Sequence, residues 1–261
     1  MTTAGAGGAL AFKTGCCSLY EGAAVRFLLG DAWRPGGLAR TEELLDAAAI
    51  APGARVLDVA CGPADSATAV SARGGSYYGV DLSRANLARA AASAVERRLL
   101  AADAEQLPFS DGAFDAVLVQ CSFCTFTDAA AAAVEIARVL RGGGCLLLAD
   151  VTREEGCLDR GDELLLAKAA CVADARPLAA YAAAVEAAGL KVERLTDCAD
   201  DACQFLRAID RKLLMARVAE AVGKLDLGNL DLAAARGLLR RGLALVDEGK
   251  LGYGYLIAHK P

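Results

Sequence analysis

The chain has 261 residues, of which 55% are hydrophobic and 23% charged, and its formal net charge is -5. This composition excludes an intrinsically disordered chain, because enough apolar surface is available to offset the entropy of ordering the backbone. Acidic and basic residues are interspersed, whereas nucleic-acid binding requires clustered lysines and arginines. No run approaches the roughly 18 to 20 apolar residues that span a bilayer. We therefore expect a cytoplasmic protein, a monomer or homodimer, without nucleic-acid or membrane partners.

Ten cysteines and one histidine restrict the chemistry that the chain can perform. Disulfide frameworks are typical of small secreted proteins, so we expect reduced thiols in a chain of this length. The single histidine, His259, stands two residues from the end. This excludes Ser-His-Asp triads and histidine-rich zinc sites. Catalysis would therefore depend on carboxylates, thiols or a cofactor.

Residues 1–50 differ in character from the rest of the chain. They contain a glycine- and alanine-rich start, the neighbouring Cys16 and Cys17, and a turn at residues 34–37. An amphipathic stretch follows from Thr41 to Ile50. Because threonine is a preferred N-cap residue, Thr41 is the predicted start of a helix. We expect residues 1–50 to form a helical N-terminal cap.

From Arg55 onward, short apolar runs alternate with alanine-rich helical segments. Such alternation predicts an α/β fold with a parallel sheet between two layers of helices. The predicted strands are 55–60, 76–80, 98–102, 114–121, 144–150, 190–196 and 252–258, and the predicted helices are 64–73, 83–97, 128–140, 158–173 and 178–188.

One long segment departs from this alternation. Residues 203–248 carry helical periodicity that is broken at Gly223 and Gly228. The segment is too long for a simple strand-to-helix connection, so it is predicted to be an inserted helical hairpin. The chain would then consist of the cap, an α/β core formed by residues 51–202 and 249–261, and the hairpin at 203–248.

Acidic residues stand at the ends of the first two predicted strands. Asp58 precedes a turn that contains Gly62, and Asp81 ends the second strand about 20 residues further on. Ligands of open parallel sheets bind outside the carboxyl ends of the strands, where a carboxylate such as Asp81 can hold both ribose hydroxyls of a nucleotide. Asp58 has two interpretations, since it could accept hydrogen bonds from the loop backbone or contact the ligand directly.

Four segments carry a family resemblance. VLDVACGPAD, GVDLS, DAEQLPFSDGAFDAVLVQ and EIARVLRGGGCLLLADV follow one another across residues 54–151. Together they resemble the class I S-adenosylmethionine-dependent methyltransferases. The resemblance implies a Rossmann-like, doubly wound and mostly parallel seven-stranded sheet with an antiparallel last strand, and S-adenosylmethionine as the cofactor.

The same resemblance implies which residues hold the cofactor. They are Asp58, Ala60 and Gly62 at the methionine end, Asp81 and Leu82 at the ribose, Asp103 and Ala104 at the adenine, and Gln120 near the sulfonium. One departure stands out, because the family usually has glycine where this chain has Ala60 and Ala64. A tighter loop at these positions would lower the affinity for the cofactor.

The cysteines are similar in placement to those of arsenite methyltransferases. Cys121 ends the fourth predicted strand, and Cys171 precedes the predicted helix 178–188. The resemblance implies thiolates that bind trivalent arsenic at these two positions, with Cys16 or Cys17 as a third. Soft thiolates select soft centres, which fits this chemistry. Cysteines are also common small core residues, and this second interpretation stays open.

Three functions are therefore compatible with the sequence. The first is methyl transfer to arsenite or a related metalloid. The second is methyl transfer to a small organic molecule at carbon or oxygen, as in the similar quinone-biosynthesis methyltransferases. The third is a protein that binds the cofactor or a metalloid without catalysis.

Overall fold

The computed structural model describes residues 34–91, 98–158, 174–221 and 232–261, and the single positions 161 and 172. Its centre is one seven-stranded sheet in the order β3-β2-β1-β4-β5-β7-β6. Strands β1 to β5 are parallel to one another, and β7 runs antiparallel to both β5 and β6. This confirms the predicted fold. The strands are β1 (Arg55–Val59), β2 (Ser76–Asp81), β3 (Arg98–Ala101), β4 (Phe114–Gln120), β5 (Leu140–Arg153), β6 (Lys191–Asp197) and β7 (Leu251–His259).

Seven helices and one short 3-10 turn surround this sheet in the described part of the chain. The helices are α1 (Gly37–Ala47), α2 (Ser66–Ala72), α3 (Arg84–Ala91), α4 (Ala129–Val139), α5 (Leu178–Ala187), α6 (Ala199–Ala221) and α7 (Leu232–Asp247), and the 3-10 turn is Phe123–Thr125. The predicted helix 158–173 lies almost wholly outside the described residues. Within the described ranges, no helix has an apolar stretch of the length needed to cross a membrane.

Both faces of the central strands β1, β4, β5 and β7 are mostly buried, as expected for a sheet covered by helices on both sides. One face packs against α4 and α5 through residues such as Ile136 and Val185. The other face packs against α1, α2 and α7 through Leu45, Val70 and Leu245. Successive side chains of a strand point to opposite faces of the sheet. The position of a polar residue in its strand therefore decides which of the two helical layers its side chain faces.

The segment predicted as a hairpin contains α6 and α7. Ile209 and Leu213 of α6 pack against Leu239 of α7, and Arg236 Nε lies 2.9 Å from Asp210 Oδ1 across the two helices. The first helix begins at Ala199, four residues before the predicted start. The two helices therefore match the predicted hairpin, while the division of the chain into three domains stays a prediction.

The predicted N-cap at Thr41 is wrong. Helix α1 begins at Gly37, directly after Gly36, whose φ of 74° is in the left-handed region. The Gly37 N–H donates to the Arg34 carbonyl, which closes a tight turn at the start of the helix. Thr41 is fully buried inside the helix. Glycine reaches left-handed angles without strain, so the helix starts at the glycine turn and Thr41 serves the site described below.

Candidate functional site

Polar residues lie at the carboxyl ends of three adjacent strands, which form the edge where open parallel sheets bind ligands. Asp81 ends β2, Asp58 is next to last in β1, and Gln120 ends β4. All three are almost fully buried, with 8%, 4% and 9% of their surface exposed. Each follows an apolar strand interior, so the strands themselves fix the three side chains in a row.

Asp81 joins the loops that follow β1 and β2. Its Oδ2 accepts a hydrogen bond of 2.7 Å from the Gly62 N–H, and its Oδ1 accepts one of 2.7 Å from the Ser83 N–H. A carboxylate offers about four acceptor positions, so Asp81 can hold the loop backbone and a ligand hydroxyl together. Ribose binding by Asp81 stays a prediction that this geometry allows.

The loop after β1 has an unusual backbone. Ala60, Gly62 and Ala64 have φ angles of 58°, 55° and 61°. The left-handed region is strained by roughly 1–2 kcal/mol for a residue with a Cβ atom, which is the physical reason for glycine at these positions in the family. A Cβ atom at Gly62 would meet nothing within 4 Å, so the loop backbone at this residue faces open space that a ligand could approach.

Asp58 interacts with side chains. Tyr77 donates its hydroxyl proton to Asp58 Oδ2 over 2.8 Å. Burial raises the pKa of the Asp58 carboxyl to about 6, although Tyr77 and the Arg34 charge act in the opposite direction. The sequence leaves open whether Asp58 accepts hydrogen bonds from the loop backbone or contacts a ligand. The hydrogen-bond partners of Asp58 found among the described residues are side chains. The negative charge of the Asp58 carboxylate is only partly offset by Arg34 and is suited to bind a cationic ligand group.

Arg34, Thr41, Ser66 and Gln120 form a buried network that we call the Arg34 cluster. Arg34 Nη2 donates to Thr41 Oγ1 at 2.6 Å and to Ser66 Oγ at 3.3 Å. The Thr41 and Ser66 hydroxyls in turn lie 3.1 Å and 3.2 Å from Gln120 Oε1, to which they donate. Elements from three parts of the chain therefore meet at the end of β4.

Two donors of the Arg34 cluster are left over. Arg34 Nε and Gln120 Nε2 are buried and have no hydrogen-bond partner among the described residues. A buried donor without a partner is destabilising by about 1–3 kcal/mol, so such groups in a site indicate a ligand acceptor. S-adenosylmethionine carries a carboxylate at its methionine end, and these two donors, with Asp58 for the amino group, fit its charges. Arg34 is not predicted from the sequence, since no periodic pattern links its turn to the strands.

The residues predicted for the adenine and ribose side lie next to this row. Asp103 follows β3, and its Oδ1 accepts a hydrogen bond of 3.0 Å from the Glu105 N–H. Ala104 is buried, whereas Leu82 is 42% exposed beside Asp81. An exposed leucine at this edge is suited to cover an aromatic base, but the contacts of these three residues with a cofactor stay predictions.

The predicted thiol site is only partly described. Cys121 directly follows Gln120, is half-buried and has a φ of 55°. Cys16, Cys17 and Cys171 lie outside the described residues. Within the ranges that are described, no three His, Cys, Asp or Glu side chains form a group able to hold a metal ion. Cys145 is a core residue whose thiol pKa is raised to about 11 by burial, so the core interpretation applies to this cysteine.

Part of the chain is similar in sequence to known methyltransferases. Residues 57–148 match the family described as "Methyltransferase domain". The chain is 34% identical over 143 residues to demethylmenaquinone methyltransferase of Mycolicibacterium paratuberculosis, covering 54% of this chain and 61% of the relative. It is 42% identical over 100 residues to the enzyme of the same name from Thermus thermophilus, covering 36% of this chain and 46% of the relative. The chain thus spans about half the length of the curated relatives it matches.

Solved structures show a similar fold. A mycolic acid cyclopropane synthase superposes with a TM-score of 0.80 at 17% identity, covering 96% of this chain and 98% of that one. Phosphoethanolamine N-methyltransferase 2 of Haemonchus contortus superposes with a TM-score of 0.77 at 19% identity, covering 94% of this chain and 57% of that one. Residues 57–148 therefore match a methyltransferase domain, and the solved structures show that the described chain shares the fold of these proteins.

Proposed function

We propose that the whole chain transfers a methyl group from S-adenosylmethionine to a small organic acceptor of the quinone-biosynthesis type. The observation that carries this proposal is the identity of 34% over 143 residues to a demethylmenaquinone methyltransferase. The aligned relatives include others of the same name. The Arg34 cluster and Asp81 supply the polar groups that such a cofactor needs.

Each end of the cofactor has candidate partners in this chain. Asp81 accepts hydrogen bonds from the ribose hydroxyls, and Asp103 and Ala104 lie at the adenine. The Gly62 backbone allows close approach of the methionine end. Arg34 Nε and Gln120 Nε2 donate to the methionine carboxylate, while Asp58 accepts from the amino group. These groups are buried or half-buried, which limits competition from water.

Bound S-adenosylmethionine would supply a methyl group on a positively charged sulfur. Transfer to an electron-rich carbon or oxygen would leave neutral S-adenosylhomocysteine, and the proton that the acceptor loses would pass to solvent. The chain has one histidine, and it lies at the opposite edge of the sheet, because His259 pairs with Cys145 near the start of β5. An imidazole base therefore does not belong to this site. Orientation of the acceptor and exclusion of water are the main contributions that the chain's own residues make.

The arsenite hypothesis has less support than the organic acceptor. The relatives named above are demethylmenaquinone methyltransferases, and the comparisons do not support a metalloid. Convergence of Cys121 with Cys171 and with Cys16 or Cys17 stays a prediction, since three of these four cysteines lie outside the described residues.

A single assay separates the three functions. The full chain is incubated with methyl-labelled S-adenosylmethionine and either naphthohydroquinone kept reduced or arsenite with a reducing thiol. We expect label in the naphthohydroquinone product and none with arsenite. Label with arsenite alone would make the metalloid the acceptor. Tight cofactor binding without transfer to a broad panel of reduced quinones and arsenite would favour a binding protein without catalysis.

A further inference from the structure

Two buried hydroxyl groups lie beyond the cofactor residues. Ser122 Oγ and Tyr253 Oη have no hydrogen-bond partner among the described residues. Ser122 is 7% exposed and Tyr253 is fully buried. Hydroxyls in such positions are nearly always hydrogen-bonded, so two orphaned ones near a ligand-binding edge indicate an oxygen or nitrogen of a bound molecule.

Tyr253 lies on the same face of the sheet as Gln120. Tyr253 pairs with Val151 and Tyr255 pairs with Ala149, while Ala149 also pairs with Gln120 on its other side. Tyr253 and Tyr255 belong to the core layer that contains Leu118. Gln120 is two residues after Leu118 and therefore shares its face. Only β5 separates the tyrosine from the end of β4.

Alternating glycines fix the direction of the Tyr253 side chain. Gly254 faces the opposite layer, where a Cβ atom would lie 2.7 Å from Leu178 Cδ2. A Cβ atom at Gly252 would lie 2.9 Å from Thr152 Oγ1. A strand slipped by one residue would place tyrosine rings in these crowded positions. The Gly-Tyr-Gly-Tyr sequence of β7 therefore holds both rings on the Gln120 face.

The surroundings keep the Tyr253 hydroxyl protonated. Burial raises its pKa well above the ordinary value, and the nearby Cys121 and Asp150 act in the same direction, whereas the Arg34 charge opposes them. The phenol is thus a hydrogen-bond donor at neutral pH. The groups that act on the Tyr253 hydroxyl also show that it lies near the end of β4. Cys121 stands between Gln120 and Ser122 in the chain, and Arg34 belongs to the cluster at Gln120.

The order of the strands separates these hydroxyls from the cofactor. The proposed cofactor residues Asp81, Asp58 and Gln120 lie on β2, β1 and β4, and the next strands across the sheet are β5 and β7. The cofactor carboxylate already has Arg34 Nε and Gln120 Nε2 as donors. A molecule that receives the methyl group would lie beyond Gln120, on the side of Tyr253.

We infer that Tyr253 and Ser122 donate hydrogen bonds to an oxygen of the methyl acceptor. The acceptor class is then a ring that carries a hydroxyl or carbonyl oxygen, such as a phenol or hydroquinone, and not a hydrocarbon. This inference rests on the proposed function and adds to it the residues that recognise the acceptor and the atom that they recognise.

The test compares two tyrosines of one strand in the full chain. Binding of naphthol and of naphthalene is measured in the presence of S-adenosylhomocysteine for the wild type, Tyr253→Phe and Tyr255→Phe. The wild type should prefer naphthol, and Tyr253→Phe should reduce that preference by about three- to tenfold, as expected for one hydrogen bond. Tyr255→Phe should keep the preference, because the Tyr255 hydroxyl already donates to Glu43 Oε1 over 3.4 Å. Ser122→Ala should reduce it as well.

Further readouts separate acceptor recognition from a structural role and from the proposed function. Tyr253→Phe should unfold at the same or a higher temperature than the wild type, because it removes a buried hydroxyl that has no hydrogen-bond partner in the part of the chain that the structure describes. Its affinity for S-adenosylhomocysteine should be unchanged. A wild type without preference for naphthol, a Tyr253→Phe variant that keeps it, or one that loses cofactor affinity instead would overturn the inference. A preference that depends on Tyr253 in a chain that methylates neither quinols nor phenols would refute the proposed function alone.

Discussion

Arg34 and Gln120 contact the same two hydroxyl groups from opposite sides. Arg34 Nη2 donates to Thr41 and Ser66, and both hydroxyls donate to Gln120 Oε1. These hydrogen bonds occupy Arg34 Nη2 and Gln120 Oε1. Arg34 Nε and Gln120 Nε2 are left as buried donors without partners among the described residues. Both donors are thereby held in place before a ligand carboxylate arrives.

Replacing Arg34 should weaken binding only of ligands that have an amino-acid end. In Arg34→Met, loss of a charge-assisted hydrogen bond should lower the affinity for S-adenosylhomocysteine by roughly 10- to 150-fold, which corresponds to about 1.5–3 kcal/mol. Methylthioadenosine, which lacks that end, should bind as it does to the wild type. Calorimetry with both ligands measures the difference.

Arg73→Met is the matched control. Arg73 is an arginine paired with the exposed Asp46 at 2.6 Å, outside the Arg34 cluster, and its replacement should leave both affinities unchanged. Equal losses for the two ligands in Arg34→Met would argue against a contact between Arg34 and the methionine carboxylate.

The Arg34 cluster also shows where sequence reasoning stops. Asp58 and Asp81 were predicted because they stand at or near the ends of buried strands, and the ends of neighbouring parallel strands must lie together. Gln120 was implied by the family resemblance. Arg34 comes from a turn, and Thr41 was taken for a helix cap. Arg34 and Thr41 reach Gln120 because α1 packs over the sheet. Hydrophobic periodicity predicts which face of α1 is buried, but it does not predict the polar contacts on that face. Tyr253 was predicted as part of a strand, but its missing hydrogen bond is visible only in three dimensions.

Asp81→Asn should weaken cofactor binding and loosen the loops. The variant loses the charge that accepts from Gly62 and Ser83, and its amide NH2 faces one of these N–H groups. We expect the affinity for S-adenosylmethionine to fall at least about tenfold and the unfolding temperature to decrease. Asp111→Asn removes a carboxylate whose side chain is 82% exposed, and it should change neither affinity nor loop stability. Wild-type affinity in Asp81→Asn would exclude ribose binding by this residue.

Asp58 should make stability depend on pH in an unusual direction. Its folded pKa of about 6 is above the ordinary value of 3.8, chiefly through burial. Its favourable contribution is therefore complete below about 3.8 and is lost as the pH rises through about 6. Relative to Asp58→Asn, the wild type should lose on the order of 3 kcal/mol across that window.

Denaturant unfolding between pH 4 and 7 measures this loss. Asp46→Asn, at an exposed position, controls for removal of an acidic group. Bound S-adenosylhomocysteine should reduce the difference at pH 7, because its amino group would stabilise the Asp58 carboxylate. A difference between wild type and Asp58→Asn that stays constant over the whole range would contradict the burial argument.

Ala60→Gly should stabilise the protein. Ala60 has a φ of 58°, and glycine at this angle relieves the strain of about 1–2 kcal/mol at the expense of about 0.4–1 kcal/mol from the more flexible unfolded chain. We expect a net gain of roughly 0.5–1 kcal/mol in the free energy of unfolding. Ala113 does not have a positive φ, so Ala113→Gly should destabilise. Destabilisation by both changes would mean that the loop backbone at Ala60 is not strained.

A crystal structure with S-adenosylhomocysteine tests the central claim most directly. The ribose hydroxyls should lie within hydrogen-bond distance of Asp81, and the methionine carboxylate should accept from Arg34 Nε and Gln120 Nε2. The thioether sulfur should then face the side of Gln120 towards Tyr253. Density for the ligand away from the ends of β1, β2 and β4, or no binding at concentrations that saturate methyltransferases, would contradict the account.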